Sequence, residues 1–417
     1  MNEECNYSIV DMQMVTTTSE KVISILIWPL CFLYATMLFE DWGPFEIMFG
    51  IFVLLFLTFT EIMYWNRKNT GESMAMLVMT IIIAASVCFS FGNVWDKEVR
   101  IFFTHLFAVY WVLCRSDRLA EGETSHMMVW DGIVGFLIMP FKHFLLNTKT
   151  ILTVFKTSGG VKNKKSVPFV LMASFAAAVL FFIALSYLMD ADENYNALMQ
   201  DIGGFFRIDI DYLLVPKLII TVLASTYLYG LLGGCLREDK WQVQYRSEKV
   251  KGLVGTLRKV PSTVWVVFIG FFSLFYAIFF IMQGHYLFDA FIMKLPQEFT
   301  YSQYARRGFG DMCGVMVVNF ILFWLATRTV TLLDKPIKIA SLVLNVESMF
   351  FALIAFLKIA MYIDAYGFTP LRLESIWAAT VLMFACVCVM VNMLTGRKMA
   401  KVWFMGSAAT LTILCII

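Results

Sequence analysis

Charged residues are scarce in this chain. They make up 15% of its 417 residues, whereas an ordinary soluble domain carries about 25%. Hydrophobic residues make up 60%, and the mean hydropathy is +0.74. No polar stretch is long enough to form a separate soluble domain. The composition therefore predicts one membrane domain that uses the bilayer as its solvent.

Motifs for common enzyme chemistry are missing as well. The four histidines have neither HxxxH nor HExxH spacing, there is no Walker motif, and none of the nine cysteines forms a CxxC pair. These absences argue against a metal-dependent hydrolase or a nucleotide site, and no metal or cofactor is expected. Nucleic-acid binding is not expected either, since no soluble recognition fold is present. The acidic residues of the first 21 positions differ from the basic start of a signal peptide, so residues 1–21 are predicted to be a retained cytoplasmic leader.

Long apolar runs are abundant, and a helix needs roughly 20 such residues to cross about 30 Å of hydrocarbon. About eleven runs approach that length, which predicts an all-α polytopic transmembrane helical bundle. The predicted spans are Val22–Phe39, Phe45–Trp65, Met74–Val94, Val99–Cys114, Val167–Met189, Tyr212–Cys235, Thr263–Gln283, Gly308–Thr327, Ile337–Ile363, Leu371–Leu394 and Val402–Ile417.

The loops between these runs alternate in charge. Lysine and arginine are concentrated in residues 66–73, 115–166 and 236–262 and around the starts of the ninth and last spans, whereas the loop at 190–211 is rich in aspartate. By the positive-inside rule the basic loops are cytoplasmic, with the N-terminus inside and the C-terminus outside. A missed span would break this alternation.

Residues 127–147 are apolar but include charged residues and a proline. A span there would invert all later loops, so the segment is predicted to be an amphipathic helix lying in the inner interface. The predicted organisation is a leader at 1–21, a four-helix membrane segment at 22–114, the interfacial helix and basic loop at 115–166, and a C-terminal membrane segment at 167–417. Gly230 and Gly234 form a GxxxG pattern, which is typical of close helix contacts.

Two stretches are more specific than generic membrane sequence. Residues 295–309 read LPQEFTYSQYARRGF, and residues 362–372 read YIDAYGFTPLR. They resemble the Tyr-x-x-Tyr-Ala-Arg-x-Gly-Phe and Tyr-x-x-x-Tyr-Gly-Leu-Thr-x-x-Arg elements of a family of bacterial polytopic membrane proteins catalogued only as a domain of unknown function. Phe368 stands where that family usually has Leu. The resemblance covers the C-terminal half and hardly any of the first 160 residues. It implies a multi-pass protein of the bacterial cytoplasmic membrane and does not imply a particular activity.

Ionisable side chains at membrane depth need a partner or a wet cavity. Asp311 and Lys358 lie about two turns below the outer ends of neighbouring antiparallel helices, so they are predicted to form a buried ion pair. Glu347 lies eleven residues before Lys358, on nearly the same helix face. With Asn319 and Asn345 it fits a polar stripe for a solute or proton, but a neutral, hydrogen-bonded carboxyl fits equally well.

Other polar residues gather near the predicted outer ends of these helices. Arg306 and Arg307 break the positive-inside rule there, which suggests anionic partners. Carboxylates of the same loops would give a structural network, which is favoured because intramembrane charges usually pair with one another. A lipid phosphate or an anionic solute is the alternative, since arginine offers a bidentate donor fork. The full candidate ligand-binding set is His285, Asp289, Glu298, Tyr301, Tyr304, Arg306, Arg307, Asp311, Glu347, Lys358, Asp364, Tyr366, Arg372 and Glu374.

Three functions fit this pattern. A solute or ion transporter, or a channel-like protein, ranks first. A membrane sensor or accessory subunit without catalysis is the alternative, with a protein partner at the cytoplasmic loops. An intramembrane enzyme acting on lipid headgroups ranks last, with His285, Asp289 or Glu298 as acid or base; no catalytic residue is assigned. Membrane lipids are expected partners, and the basic cytoplasmic face would attract anionic lipid.

Overall fold

The computed structural model describes residues 16–39, 45–89, 94–157, 188, 191–192, 213–282, 284, 300–331 and 334–417, without the side chains of 155–157 and 305–308. The described chain is helical, with one isolated β-bridge between Val260 and Val330. Its helices are α1 (Thr18–Phe39), α2 (Phe45–Met63), α3 (Gly71–Cys88), α4 (Lys97–Arg115), α5 (Met128–Ile133), α6 (Met139–Lys142), α7 (Leu146–Thr157), α8 (Leu214–Arg237), α9 (Lys240–Thr256), α10 (Ser262–Met282), α11 (Tyr301–Thr329), α12 (Lys335–Tyr366), α13 (Pro370–Thr395) and α14 (Ala400–Leu414), with a π-helical turn at Val134–Ile138.

Eight of these helices are long and apolar enough to cross a membrane: α1, α2, α3, α8, α10, α11, α12 and α13. Each overlaps a predicted span, which confirms the all-α polytopic bundle. Two further predicted spans are helical but are too short or too charged to cross a membrane by the same criterion. Helix α4 has Lys97, Glu98 and Arg100 in its first turn, and α14 has 15 residues, about 22 Å of rise against about 30 Å of hydrocarbon. The predicted span at 167–189 has only residue 188 among the described residues.

The segment predicted to lie in the inner interface is helical but broken. Between Met128–Lys142 and Leu146–Val154 the helix axis bends by 47°, and together the two pieces are also long and apolar enough for a broken span. Lys142 forms an ion pair of 2.6 Å with Glu238, in a loop predicted to be cytoplasmic, and Thr153 contacts Thr16, just before α1. Both pieces thus contact chain that the charge pattern places inside, which favours the interfacial interpretation.

Contacts between residues group the chain into two compact units that interleave along the sequence, whereas the predicted division follows consecutive segments. The first unit comprises residues 1–69 and 132–238. In it α1 packs against α2, α7 and α8, and α8 packs against α6. The glycines of the predicted GxxxG pattern lie where α8 meets α6. A Cβ added at Gly230 would lie 2.6 Å from the carbonyl oxygen of Pro140, and one added at Gly234 would lie 2.6 Å from a ring carbon of His143. The pattern therefore marks a close approach of two helices.

One end of the first unit is held together by polar contacts. Arg237 and Glu20 form an ion pair, the Tyr64 hydroxyl donates to the Leu232 carbonyl at 2.6 Å, and Arg67 donates to the Leu236 carbonyl at 2.9 Å. These residues flank helix ends that the charge pattern places in the cytoplasm. Helix ends predicted to share a side therefore meet in this unit.

The second unit comprises residues 70–131 and 239–417. Helix α12 lies at the centre of its largest bundle and packs against α10, α11 and α13, while α3 packs against α4 and α14. The apolar core between α11, α12 and α13 is formed by buried residues with an aromatic fringe around them. Its buried members are Met312, Met316, Phe351, Ala352, Ile354, Ala355 and Cys386.

The two ends of the second unit also follow the predicted sides. At one end Lys401 forms ion pairs of 2.9 Å with Glu72 and Glu123, all in loops predicted to be cytoplasmic. Elsewhere Arg100, at the predicted outer end of α4, donates to the Ser86 carbonyl at 2.7 Å, at the predicted outer end of α3. These contacts support the predicted alternation of helix directions within this unit.

Candidate functional site

Three helix ends meet near the predicted outer surface of the second unit. Thr300 and Gln303 form a capping box that starts α11 at Tyr301. Gly367, with a φ of 75°, ends α12, and the left-handed conformation there favours glycine. Pro370 then starts α13 in the first turn, where its missing N–H costs nothing. The local sequence thus fixes three helix ends that carry aromatic and basic residues.

These ends build what we call the outer aromatic cluster: Tyr301, Tyr304, Lys358, Tyr362, Tyr366 and Arg372. The Arg372 guanidinium carbon lies 3.9 Å from the ring centre of Tyr362 and 5.7 Å from that of Tyr366. Its Nη1 donates to the carbonyls of Tyr366 at 3.0 Å and Gly367 at 2.6 Å. Arg372 therefore joins the end of α12 to the start of α13 through π-faces and main-chain carbonyls.

Lys358 lies deeper in the same cluster. Its side chain is buried at 7% exposure, and its Nζ lies 4.5 Å from the ring centre of Tyr304, itself 4% exposed. Met361 and Leu357 complete the apolar wall around this pair. A buried ammonium over an aromatic face is partly stabilised by the negative potential of the ring.

The predicted Asp311–Lys358 ion pair is wrong. Asp311 is exposed, and it forms no ion pair with any residue of the described chain. The face that α11 turns toward the core carries Met312 and Met316. Because consecutive residues are about 100° apart around a helix, Asp311 points away from that face.

The described carboxylates do not form the predicted network with any described arginine. Asp364 is exposed and Glu374 is partly buried within electrostatic range of Asp96. Neither forms an ion pair in the described part of the chain. His285, Asp289 and Glu298 lie outside the described residues, as do the side chains of Arg306 and Arg307.

A second set of polar residues lies midway along α12. The Ser273 hydroxyl of α10 donates to a Glu347 carboxylate oxygen at 2.9 Å. The Tyr276 hydroxyl donates to Asn319 Oδ1 at 2.7 Å, and Asn319 Nδ2 donates to Ser348 Oγ at 2.9 Å. We call these five residues the mid-depth network; they connect α10, α11 and α12.

Asn345 was grouped with Glu347 in the predicted polar stripe, and the structure separates them. Its Nδ2 donates to the Cys386 carbonyl at 2.9 Å, on the side of α12 that faces α13. Sequence reasoning missed Ser273, Tyr276, Ser348 and Tyr362. Only Tyr362 offered a signal, since it stands four residues before Tyr366 and therefore on the same helix face.

An apolar layer separates the mid-depth network from the outer aromatic cluster. Between Glu347 and Lys358, α12 contributes buried Phe351 and Ala355, and α11 contributes buried Met312 and Met316. No polar contact crosses this layer among the described residues. The hydrogen bonds of the mid-depth network therefore lie on one side of this layer, and those of Arg372 on the other.

The end of the second unit that is predicted to be cytoplasmic holds a third polar cluster. A Glu72 oxygen accepts from the Thr124 amide at 3.0 Å and also from its hydroxyl, and Thr124 contacts the Tyr110 hydroxyl at 2.8 Å. Asp131, 1% exposed, accepts from the Ala120 amide at 2.8 Å. Burial raises the pKa of Asp131 to about 7. No group of three or more histidine, cysteine or acidic residues suited to a metal occurs in the described chain.

The eight long apolar helices of the described chain define a polytopic helical membrane protein. The family described as a domain of unknown function (DUF4153) matches residues 78–417, and the chain belongs to it. The match starts inside α3, so it extends well beyond the C-terminal half that carries the two motifs. No curated protein and no solved structure matches the chain.

Proposed function

We propose that this protein is a solute or ion transporter, or a channel-like protein, whose outer aromatic cluster receives the transported species. The observation that supports this most is the setting of Glu347. It lies twelve residues from the start of α12, about 18 Å along the axis. In the described chain its one hydrogen bond comes from Ser273, and it has no basic partner.

A carboxylate at this depth is costly unless something compensates its charge. A basic partner would supply that compensation in a structural ion pair, and a protonated carboxyl held by Ser273 would need none. Here the nearest basic residue on the same helix face, Lys358, lies about 16 Å away along α12 and faces Tyr304 instead. Glu347 is thus available to a proton or a cation that enters from a water-filled path.

The outer aromatic cluster supports a receiving site for anions. Arg372 contacts two carbonyls and two rings, and in the described chain it pairs with no carboxylate. Its remaining donors can therefore bind an anionic group in the bidentate manner that guanidinium favours. The resemblance of its motif implies a location in the bacterial cytoplasmic membrane. The charge pattern of the loops predicts that this cluster faces outward.

The apolar layer means that the conformation described above is closed. Passage of a solute or ion requires the apolar layer around Met316 and Phe351 to open. In a transporter one of the polar sites would be closed to solvent while the layer opens, which is alternating access.

The test is ion flux in vesicles that contain the purified protein. We expect a flux of protons or small inorganic ions above that of protein-free vesicles, and we expect Glu347→Gln to remove it. Glu61→Gln is the matched control, since Glu61 lies on α2 in the first unit. Flux equal to that of protein-free vesicles for protons, inorganic anions and cations would favour the sensor or accessory-subunit alternative.

A further inference from the structure

Helix α9 differs from every helix around it. It begins two residues after α8 ends at Arg237 and is followed after five residues by α10. Both neighbours are membrane spans, whereas α9 has charged residues throughout. It also packs against α11 of the same unit. The chain therefore holds α9 close to the membrane surface, on the side that the basic loops face.

The surface of α9 carries large apolar side chains that no described residue covers. Trp241 is 68% exposed, Tyr245 55% and Leu253 60%. The rings of Trp241 and Tyr245 are stacked with centres 5.3 Å apart. At 100° per residue these three side chains fall within about 120° of the helix circumference.

The opposite side of α9 is the one that packs against the bundle. Val243 and Ser247 are buried there at 7% and 3% exposure. Helix α9 is not strongly amphipathic along its whole length, but one side packs on protein while another exposes two aromatic rings and a leucine, as in helices that lie in the interface. Tryptophan and tyrosine are enriched at the headgroup level of bilayers because their rings have an apolar body and a polar edge.

Apart from the partly buried Arg246, the positive charges of this region fall into two groups. Lys240 and Lys251 form ion pairs with Asp117 and Glu121 and so attach α9 to the loop that follows α4 in the same unit. A second group is exposed and forms no ion pair within the described chain. It consists of Lys249, Arg258 and Lys259.

We propose that α9 lies in the adjacent leaflet, with Trp241, Tyr245 and Leu253 among the acyl chains and with Lys249, Arg258 and Lys259 bound to anionic lipid headgroups. Charge complementarity argues for an anionic bilayer as the occupant of this surface. At 100° per residue Lys249 falls between Tyr245 and Leu253, from where its long side chain can reach lipid phosphates, and Arg258 and Lys259 follow the end of α9. This inference does not depend on transport.

The test uses a spin label at Leu253→Cys in a cysteine-free variant, reconstituted into vesicles of phosphatidylcholine alone or with phosphatidylserine. Collision rates with oxygen and with a water-soluble nickel complex report whether the label lies in lipid or in water. We expect the label to favour oxygen, and the preference to rise several-fold with phosphatidylserine. A label at Gln244→Cys, an exposed position on another face of α9, is expected to stay in water.

Variants without the cations test whether anionic headgroups, and not only the apolar side chains, hold α9 in the leaflet. Lys249→Gln with Lys259→Gln should remove the phosphatidylserine effect. Lys335→Gln with Lys338→Gln, which removes the same charge at the start of α12, should keep it. A label at 253 that is equally wet in both lipids, or unaffected by phosphatidylserine, would overturn the proposal. So would a label shielded from both reagents, because a second copy of the chain would then cover this surface.

Discussion

The ammonium of Lys358 lies 4.5 Å from the centre of the Tyr304 ring, and both side chains are buried. This contact replaces the ion pair with Asp311 that the sequence suggests. It places the cation among aromatic residues near the predicted outer ends of α11 and α12, and it leaves Asp311 exposed.

The first prediction concerns the ring of Tyr304. Tyr304→Leu should destabilise the protein by about 1–2 kcal/mol, because a buried cation–π contact contributes on that order. Tyr304→Phe keeps a π-face and should lose clearly less. Thermal unfolding in detergent measures both variants. Equal losses would mean that the hydroxyl, and not the ring, matters at this position.

The second prediction is that Asp311 and Lys358 act independently. Asp311→Asn should have little effect, and combining it with Lys358→Met should give the sum of the two single effects within about 0.5 kcal/mol. A double-mutant cycle on thermal stability measures this. A coupling energy above about 1 kcal/mol would show that the two side chains interact and would contradict this prediction.

The third prediction concerns the close approach of α8 to α6. In Gly230→Ala the new Cβ would lie 2.6 Å from the carbonyl oxygen of Pro140, which is main chain and cannot move aside cheaply. A loss of about 1–3 kcal/mol is expected, typical of overpacking. Gly252→Ala is the matched control: it lies within α9, its Cβ meets nothing within 4 Å, and it should gain up to about 1 kcal/mol from helix propensity. If both variants lower the unfolding temperature by the same amount, α8 and α6 do not approach closely at Gly230.

The fourth prediction is a pH dependence caused by Asp131, at the predicted cytoplasmic end of the second unit. Burial raises the pKa of Asp131 in the folded protein to about 7, from an ordinary value of 3.8. Between these pH values the folded state binds more protons than the unfolded one, so stability falls as pH rises from about 4 to about 7. The loss attributable to this group is at most about 4 kcal/mol.

Asp131→Asn should flatten that fall and leave the protein more stable at pH 8, since the amide oxygen can still accept from Ala120. Asp364→Asn, at an exposed position without an ion pair in the described chain, should change nothing. Unfolding temperatures measured from pH 4 to pH 8 give the comparison. An unchanged profile in Asp131→Asn would show that another group carries the pH dependence.

Sequence and structure agree most closely on features set by short stretches of chain. The eight apolar helices overlap their predicted spans because hydropathy over some 20 residues decides insertion. The contacts of Lys401 with Glu72 and Glu123 join loops that the charge pattern had placed on one side. The GxxxG pattern marked a real approach, although the sequence did not name Pro140 as its partner.

The site was harder to predict because it depends on helix rotation and on which helices are neighbours. Asp311 and Lys358 were matched by depth alone, and a turn of about 100° per residue places Asp311 off the contact face. The partners of Glu347 and Asn319 are hydroxyls of α10, Ser273 and Tyr276. Nothing in the sequence of α10 distinguishes those hydroxyls from others until its position beside α12 is known.

The most direct test of the proposed path is the reactivity of a thiol beside Glu347. In a cysteine-free variant, Ser348→Cys places a thiol in the mid-depth network, and Phe350→Cys places one at a position 49% exposed on the outer surface of the bundle, where lipid is expected. A charged, membrane-impermeant thiol reagent reacts only where water reaches. The account predicts that Ser348→Cys reacts and that Phe350→Cys does not. Absence of reaction at position 348 under every pH and membrane potential, in protein that remains folded, would contradict it.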